Sequence, residues 1–290
     1  ITDNNIERAA DGASWFVSTV KNDQKVTSAK WETAGLGVFQ LYLNGKIVGA
    51  EVLKPGFTDP FKTKLSFTYD ITDAFQCKAG AENVLAAQVT PGWWGDKIVT
   101  PGGNKGTYGT KCAFRGVLEL TYADGTTKLY GTDLENWKAG IAGPVKHAAI
   151  FDGEEYDARE KMGYDCVETL STPEQNKEFR GKIFPTNGAE VYMRHDLTLS
   201  PVKAYIWNGV EGEKENEFGK VIITKEFNPG EPMTLKEGET LVVDFGQNCA
   251  AVPSFQFKAN EGTVLTCLPG ELLNDGNGAR SRGMDGPEGS

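Results

Sequence analysis

The stretch G-L-G-V-F-Q-L-Y-L-N-G-K-I-V-G-A-E-V-L, residues 35–53, predicts a β-hairpin. Residues 38–43 place their side chains on two alternating faces, which is the period of a strand. Asn44 and Gly45 then form the dipeptide that a type I′ turn favours, because both of its central residues take positive φ. An apolar run resumes directly after the turn. The chain therefore reverses here, as it does in an antiparallel sheet.

Short segments of the same kind recur on both sides of this hairpin. Sustained 3.6-residue periodicity is absent, and 35 Gly and 13 Pro supply many turns. Two weak helix signals remain, over residues 2–10 and from S-T-P-E at 171–174. The pattern predicts an all-β chain of antiparallel sandwiches. The further predicted strands are residues 64–70, 83–89, 114–122, 127–130, 202–207, 220–227, 240–245, 254–258 and 263–268.

Charge and composition exclude several functional classes. The formal net charge of −10 repels nucleic acid and anionic lipid surfaces. The sequence has no apolar stretch of membrane-spanning length. Five cysteines without metal-ligand spacing indicate free thiols, and the chain has only two histidines, His147 and His195. Neither histidine lies near a G-x-S-x-G elbow, so we expect no serine or cysteine triad.

Trp93 and Trp94 stand side by side where an apolar run ends at Pro-Gly. Neighbours in a strand face opposite ways, so one of the two rings is expected to reach the core. The other ring could stack on a sugar, with Asp96, Asn104 and Tyr108 as polar partners for its hydroxyls. The alternative is a ring that closes the sandwich end or contacts a neighbouring domain. From the sequence alone we favour that contact.

A run of acids offers the weak metal candidates Asp152, Glu154 and Asp157. Oxygen ligands of this kind suit Ca²⁺. The preferred interpretation is structural, with a turn at Asp152 and an ion pair between Asp157 and Arg159. Because the D-x-D-x-D-G pattern is absent, we assign no metal ligand and no cofactor. The 40 acidic residues also reveal no catalytic carboxylate pair, and none is assigned.

Several motifs, in this order and spacing, resemble the N-terminal β-sandwich domains of bacterial α-L-rhamnosidases. The two most specific blocks are I-F-D-G-E-E-Y-D-A-R at 150–159 and L-V-V-D-F-G-Q-N-C-A at 241–250. The others are L-Y-L-N-G-K-I-V-G (41–49), L-K-P-G-F-T-D (53–59), F-T-Y-D-I-T-D-A-F (67–75), E-N-V-L (82–85), P-G-W-W (91–94) and P-G-E-L-L-N-D-G-N-G (269–278).

The resemblance implies a glycoside hydrolase in which several β-domains precede a catalytic (α/α)6 barrel. This chain has no helical pattern for a barrel, so we expect a non-catalytic N-terminal portion that is inactive alone. The parent would hydrolyse terminal α-L-rhamnose, with a rhamnose-containing glycan and the C-terminal barrel as partners. That role favours the cell envelope or secretion over the cytoplasm. Some relatives bind rhamnose through Ca²⁺ in a related sandwich.

The expected architecture is two β-sandwiches in series. Residues 1–165 would form a galactose-binding-like sandwich, residues 166–188 a polar linker, and residues 189–290 an incomplete jelly-roll-like sandwich. Phe57 stands where many relatives have Trp, which argues against a ligand role at that position. Two alternatives stay open: an independent carbohydrate-binding module, and the sugar-binding domain of a β-galactosidase-type hydrolase.

Overall fold

The computed structural model describes residues 1–3, 12–99, 103–210 and 221–270, and this part of the chain is built almost entirely of strands. Most of the predicted helix over residues 2–10 lies outside these ranges. In chain order the strands are β1 (Ser14–Lys21), β2 (Val26–Leu36), β3 (Val38–Leu43), β4 (Lys46–Val48), β5 (Glu51–Val52), β6 (Thr63–Asp70), β7 (Glu82–Thr90), β8 (Ala113–Tyr122), β9 (Thr127–Gly131), β10 (Trp137–Ile141), β11 (Val145–Ala149), β12 (Gly153–Tyr156), β13 (Lys182–Pro185), β14 (Val191–Tyr192), β15 (Lys203–Val210), β16 (Val221–Phe227) and β17 (Thr240–Asp244).

Within the described ranges, helical structure is limited to single turns. One α-helical turn, α1, covers Gly92–Gly95, and 3₁₀ turns cover Gly163–Asp165, Val167–Thr169 and His195–Leu197. None of the described helices has the length and apolar character needed to cross a membrane. The chain divides into two compact units, Ile1–Met193 and Arg194–Ser290.

The first unit is a β-sandwich of two five-stranded sheets. The strand orders are β10-β1-β7-β3-β4 and β13-β6-β2-β8-β9. Neighbouring strands are antiparallel throughout, except that β13 runs parallel to β6. Two smaller ladders, β11-β12 and β14-β5, lie outside these sheets. The all-β prediction is therefore confirmed.

Aromatic side chains from both sheets meet in the core between them. The Phe114 ring of β8 lies 6.0 Å from Phe16 of β1, 6.1 Å from Trp31 of β2 and 5.6 Å from Trp137 of β10, measured between ring centroids. All four side chains are buried. Large aromatic rings dominate core energetics because each removes on the order of 150–250 Å² from water. This cluster therefore joins the two sheets.

The hairpin predicted from residues 35–53 is confirmed. Strands β3 and β4 pair with Leu43 opposite Lys46, and the two turn residues have φ values of 50° at Asn44 and 77° at Gly45. The Asn44 side chain also donates a hydrogen bond to Asn83 Oδ1 at 3.0 Å and accepts one from the Val84 amide at 2.8 Å. Thus Asn44 fixes the turn and also joins it to β7.

The segment predicted as a linker, residues 166–188, lies within the first compact unit. Leu170 is buried, and Ser171 exchanges backbone hydrogen bonds of 2.9 and 2.8 Å with Ala139 of β10. These two bonds pair the Ser171 N–H and C=O with Ala139 in an antiparallel β-bridge. The helix predicted from 171–174 is therefore wrong. Further along, β13 adds a strand to the second sheet. The division into domains at 165 and 188 stays a prediction.

The second unit contains a three-stranded antiparallel sheet of order β16-β15-β17. It confirms the strands predicted at 202–207, 220–227 and 240–245. The strands predicted at 254–258 and 263–268 are wrong, because residues 245–270 form no ladder with any other described residue. Their apolar side chains are exposed, so alternation alone did not create a strand. The described part of this unit contains this one sheet, and the second sandwich stays a prediction.

Candidate functional site

The adjacent tryptophans lie on the single helical turn α1, directly after β7. Successive residues of a helix point about 100° apart, so two neighbours need not share a face. Trp94 is 1 % exposed and donates a hydrogen bond from Nε1 to the Lys111 carbonyl at 2.9 Å. A Cβ on Gly109 would lie 2.0 Å from the Trp94 ring, so only glycine fits beside it. Trp94 therefore belongs to the interior.

Trp93 is partly exposed and belongs to an aromatic patch that we define as Phe57, Phe61, Trp93 and Tyr108. The Phe57 ring lies 6.3 Å from Trp93 and 6.2 Å from Tyr108, and Phe61 lies 5.3 Å from Tyr108. Phe57 is 56 % exposed and Phe61 is 54 % exposed. A contiguous exposed apolar surface commonly marks a site of interaction.

A buried polar cluster holds the loop that carries Phe57. The Lys54 ammonium is buried, donates to the Val48 carbonyl at 3.3 Å and to the Tyr69 hydroxyl at 3.2 Å, and lies 3.7 Å from Glu51 Oε2. Tyr69 in turn donates to Glu51 at 3.0 Å. Burial lowers the pKa of Lys54, and burial together with Glu51 raises the pKa of Tyr69. The cluster fixes the chain three residues before Phe57.

Asp96 ends the helical turn and is 3 % exposed. Neither of its carboxylate oxygens has a hydrogen-bond donor in the part of the chain that the structure describes. Oδ1 lies 3.9 Å from the Lys105 ammonium. A buried carboxylate without hydrogen bonds is costly, so the ion pair with Lys105 offsets part of that cost. Both oxygens are covered, which makes Asp96 a poor direct contact for a ligand in this conformation.

The structure brings together some of the residues that the sequence suggested and separates others. Trp93 and Tyr108 share the aromatic patch through Phe57, while Trp94 faces the core. Asn104 is exposed. Phe57, discounted from the sequence, lies at the centre of the patch. The sequence signal that was missed is a pair of phenylalanines in a loop rich in turn formers, P-G-F-T-D-P-F at 55–61. Both of these phenylalanines are exposed.

Two of the three acidic candidates for a metal site, Asp152 and Asp157, occupy separate ion pairs. Asp152 accepts hydrogen bonds from Lys97 at 2.7 and 3.0 Å, which lowers its pKa. Asp157 accepts two from the Arg159 guanidinium at 2.8 and 2.7 Å, and these lower its pKa well below the usual range. Glu154 is exposed. Within the described ranges, no three His, Cys, Asp or Glu side chains converge as a metal site would require.

The first unit is thus a β-sandwich of one antiparallel and one mixed sheet, with an aromatic patch on its surface. A sequence model described as "Alpha-L-rhamnosidase N-terminal domain" matches residues 24–179. That match covers over half of the chain, so the chain belongs to the α-L-rhamnosidase N-terminal domain family. The family predicted from the sequence motifs is confirmed, and a β-galactosidase-type relative is not supported.

Individual relatives give the same result. An α-L-rhamnosidase of Streptomyces avermitilis is 31 % identical over 251 residues, which cover 87 % of this chain and 21 % of that protein. One of Alteromonas sp. is 27 % identical over 261 residues, covering 88 % and 24 %. This chain therefore spans about a quarter of the curated relatives that it matches. A solved S. avermitilis α-L-rhamnosidase complexed with L-rhamnose aligns with a TM-score of 0.59 and 25 % identity, covering 71 % of this chain and 22 % of that one.

Proposed function

We propose that this chain is the non-catalytic N-terminal portion of an α-L-rhamnosidase and that its first sandwich presents a rhamnose-containing glycan to a catalytic (α/α)6 barrel in the same protein. The length comparison supports the first half of the proposal, since about three quarters of each of these two relatives lies outside the match. The aromatic patch supports the second half.

The observation that carries glycan binding is the orientation of Trp93. Its neighbour Trp94 fills the interior, while Trp93 is partly exposed and contacts Phe57, whose ring also contacts Tyr108. A pyranose packs its C–H face on such rings, and its hydroxyls need polar partners nearby. Rhamnose adds a methyl group, which enlarges the apolar surface available for packing. Tyr108 and the exposed Asn104 supply groups that can exchange hydrogen bonds with hydroxyls.

A cation has no assigned role in this proposal. Ca²⁺ takes about six to eight oxygen ligands, and the described residues bring no such acidic cluster together. Asp96 has uncommitted oxygens but stands as a single carboxylate near Lys105. The rings of the patch are therefore expected to bind sugar without a metal.

Calorimetric titration with L-rhamnose tests this function, first with Ca²⁺ present and then after chelation. We expect saturable binding that survives chelation and that Trp93→Ala abolishes. Tyr156→Ala is the matched control, because Tyr156 is an exposed ring that makes no ring contact with the patch. Loss of rhamnose binding on chelation would show that a cation takes part in the site. No binding at all would favour the alternative, in which the patch contacts a neighbouring domain.

A further inference from the structure

A crevice lies on the outer face of the second sheet, where residues 175–183 cover β2, β6 and β8. It has a volume of about 170 Å³, and its walls are largely apolar, with Phe179 and Ile183 on one side and Ala34 on the other. Lys64 of β6 and Arg115 of β8 also line it. A volume of this size suits a small ligand rather than an extended chain.

Lys64 is enclosed because of the strand period of β6. Phe67 and Leu65 belong to the core side of this strand, so Lys64 and Ser66 point to the opposite face. Residues 175–183 cover that face, which leaves Lys64 only 4 % exposed. It has no hydrogen bond or ion pair with any described residue, and burial lowers its pKa to about 8. A largely buried lysine without a counter-charge destabilises the folded state.

The rest of the lining does not supply the missing negative charge. None of the described residues that line the crevice is acidic, although the chain as a whole carries a net charge of −10. Arg115 adds a second cation, 3.9 Å from Glu32. Asn176, also in the lining, has a buried amide nitrogen without an acceptor among the described residues. The crevice therefore has surplus donors and surplus positive charge.

We propose that this crevice binds the carboxylate group of a small acid, with Lys64 as the counter-ion and Asn176 as an additional donor. Among the described side chains of the lining, Arg115 already has Glu32 as its counter-charge and Lys64 has none. A monoanion would balance Lys64, whereas a phosphate dianion would leave a charge uncompensated in apolar surroundings. The apolar walls suit the carbon skeleton that carries the carboxylate. A uronate, which is a sugar acid, combines these features. The lining of this site contains none of the four residues of the aromatic patch.

Calorimetry at pH 6.5 compares D-glucuronate with D-glucose, which differ in the carboxylate at C6. Acetate is the third ligand, because it carries the carboxylate without a sugar ring. We expect saturable binding of glucuronate, weaker saturable binding of acetate and none of glucose. Lys64→Met should weaken glucuronate binding at least about tenfold, since it removes a desolvated charge partner. Equal binding of glucose, or no saturable binding of either acid, overturns the proposal.

Lys62→Met is the matched control variant. The Lys62 side chain is 82 % exposed and lies two residues from Lys64, so this variant removes the same charge outside the crevice. It should change glucuronate affinity less than about twofold, because exposed charges are well screened. An equal loss in both variants would mean that glucuronate responds only to net charge, which also overturns the proposal.

A measurement on the unmodified chain covers the case in which Lys64→Met does not fold. In ¹³C-lysine-labelled protein, the Lys64 Cε resonance, assigned with Lys64→Arg, should titrate near pH 8. Saturating glucuronate should move that titration upward by at least about one pH unit, the equivalent of tenfold coupling. An unmoved Lys64 titration refutes the site. Trp93→Ala should leave this shift intact, so failure here and failure of the rhamnose proposal are distinguishable.

Discussion

Replacing Lys64 with Met should stabilise the first unit near neutral pH, and the gain should shrink as the pH rises. Methionine keeps an unbranched side chain of similar length and removes the ammonium, which is enclosed without a counter-charge. Burial lowers the pKa of Lys64 from 10.5 to about 8. The folded state therefore binds the lysine proton less tightly than the unfolded state does.

The size of the effect follows from the two pKa values. Each pKa unit is worth about 1.36 kcal/mol, so the shift corresponds to about 3 kcal/mol against the folded state at pH 7. Between pH 8 and 10.5 the unfolded chain binds more protons, so stability rises with pH and the penalty falls to about 1 kcal/mol at pH 10. Lys64→Met should thus add about 2–3 kcal/mol at pH 7 and about 1 kcal/mol at pH 10.

Urea unfolding at the two pH values, followed by tryptophan fluorescence, measures this difference. Five of the six tryptophans lie in the first unit, so the signal reports mainly on that unit. Tyr42 and Cys112, whose pKa values burial raises to about 12, destabilise the folded state at high pH. Both proteins contain these groups, so their effect cancels in the comparison.

Lys62→Met is again the control and should change stability by less than about 0.5 kcal/mol at either pH. A destabilised Lys64→Met protein at pH 7, or a gain that does not depend on pH, would mean that the Lys64 ammonium is already compensated. Either result would contradict a destabilising, uncompensated charge at Lys64. Saturating glucuronate should reduce or reverse the advantage of Lys64→Met, because the ligand binds the folded chain with lysine at least about tenfold more tightly than the variant.

Three further outcomes are expected. Trp94→Ala should cost about 3–5 kcal/mol in urea unfolding and Trp93→Ala less than about 1 kcal/mol, because only Trp94 fills the interior; equal losses would contradict the assignment. Gly109→Ala should cost at least about 1–3 kcal/mol by forcing the Trp94 ring to move, and a neutral thermal melt would contradict it. Lys54→Met should cost about 3–5 kcal/mol by leaving Glu51 without its cation; an unchanged melting temperature would show that this cluster does not stabilise the loop.

Much of the first sandwich was predictable because its strands carry local signals. The turn at Asn44 and Gly45 depends only on the φ values that these residues tolerate, and its structure agrees with the prediction. The strand at 114–122 has the alternation of a sheet with one buried face. Local alternation also gave the false strands at 254–258 and 263–268, since a strand needs a partner as well as a pattern.

The candidate site was only partly predictable, because orientation and burial depend on distant residues. The adjacent tryptophans at 93–94 predicted one core ring and one surface ring. Which ring is buried depends on the helical turn after β7. The patch itself joins three loops that are far apart in sequence, at Phe57, Trp93 and Tyr108. Their proximity follows from strand order and not from any local motif.

Local patterns along the chain are enough to specify the all-β class, the central hairpin and, through the motifs, the family. Each of these depends on short-range chemistry: turn φ values, side-chain alternation and fixed spacing. The burial of Lys64 depends on tertiary structure, because residues 175–183 return to cover the outer face of β6. A lysine in a strand is normally solvated. When another segment covers it, its charge either destabilises the folded state or binds an anion.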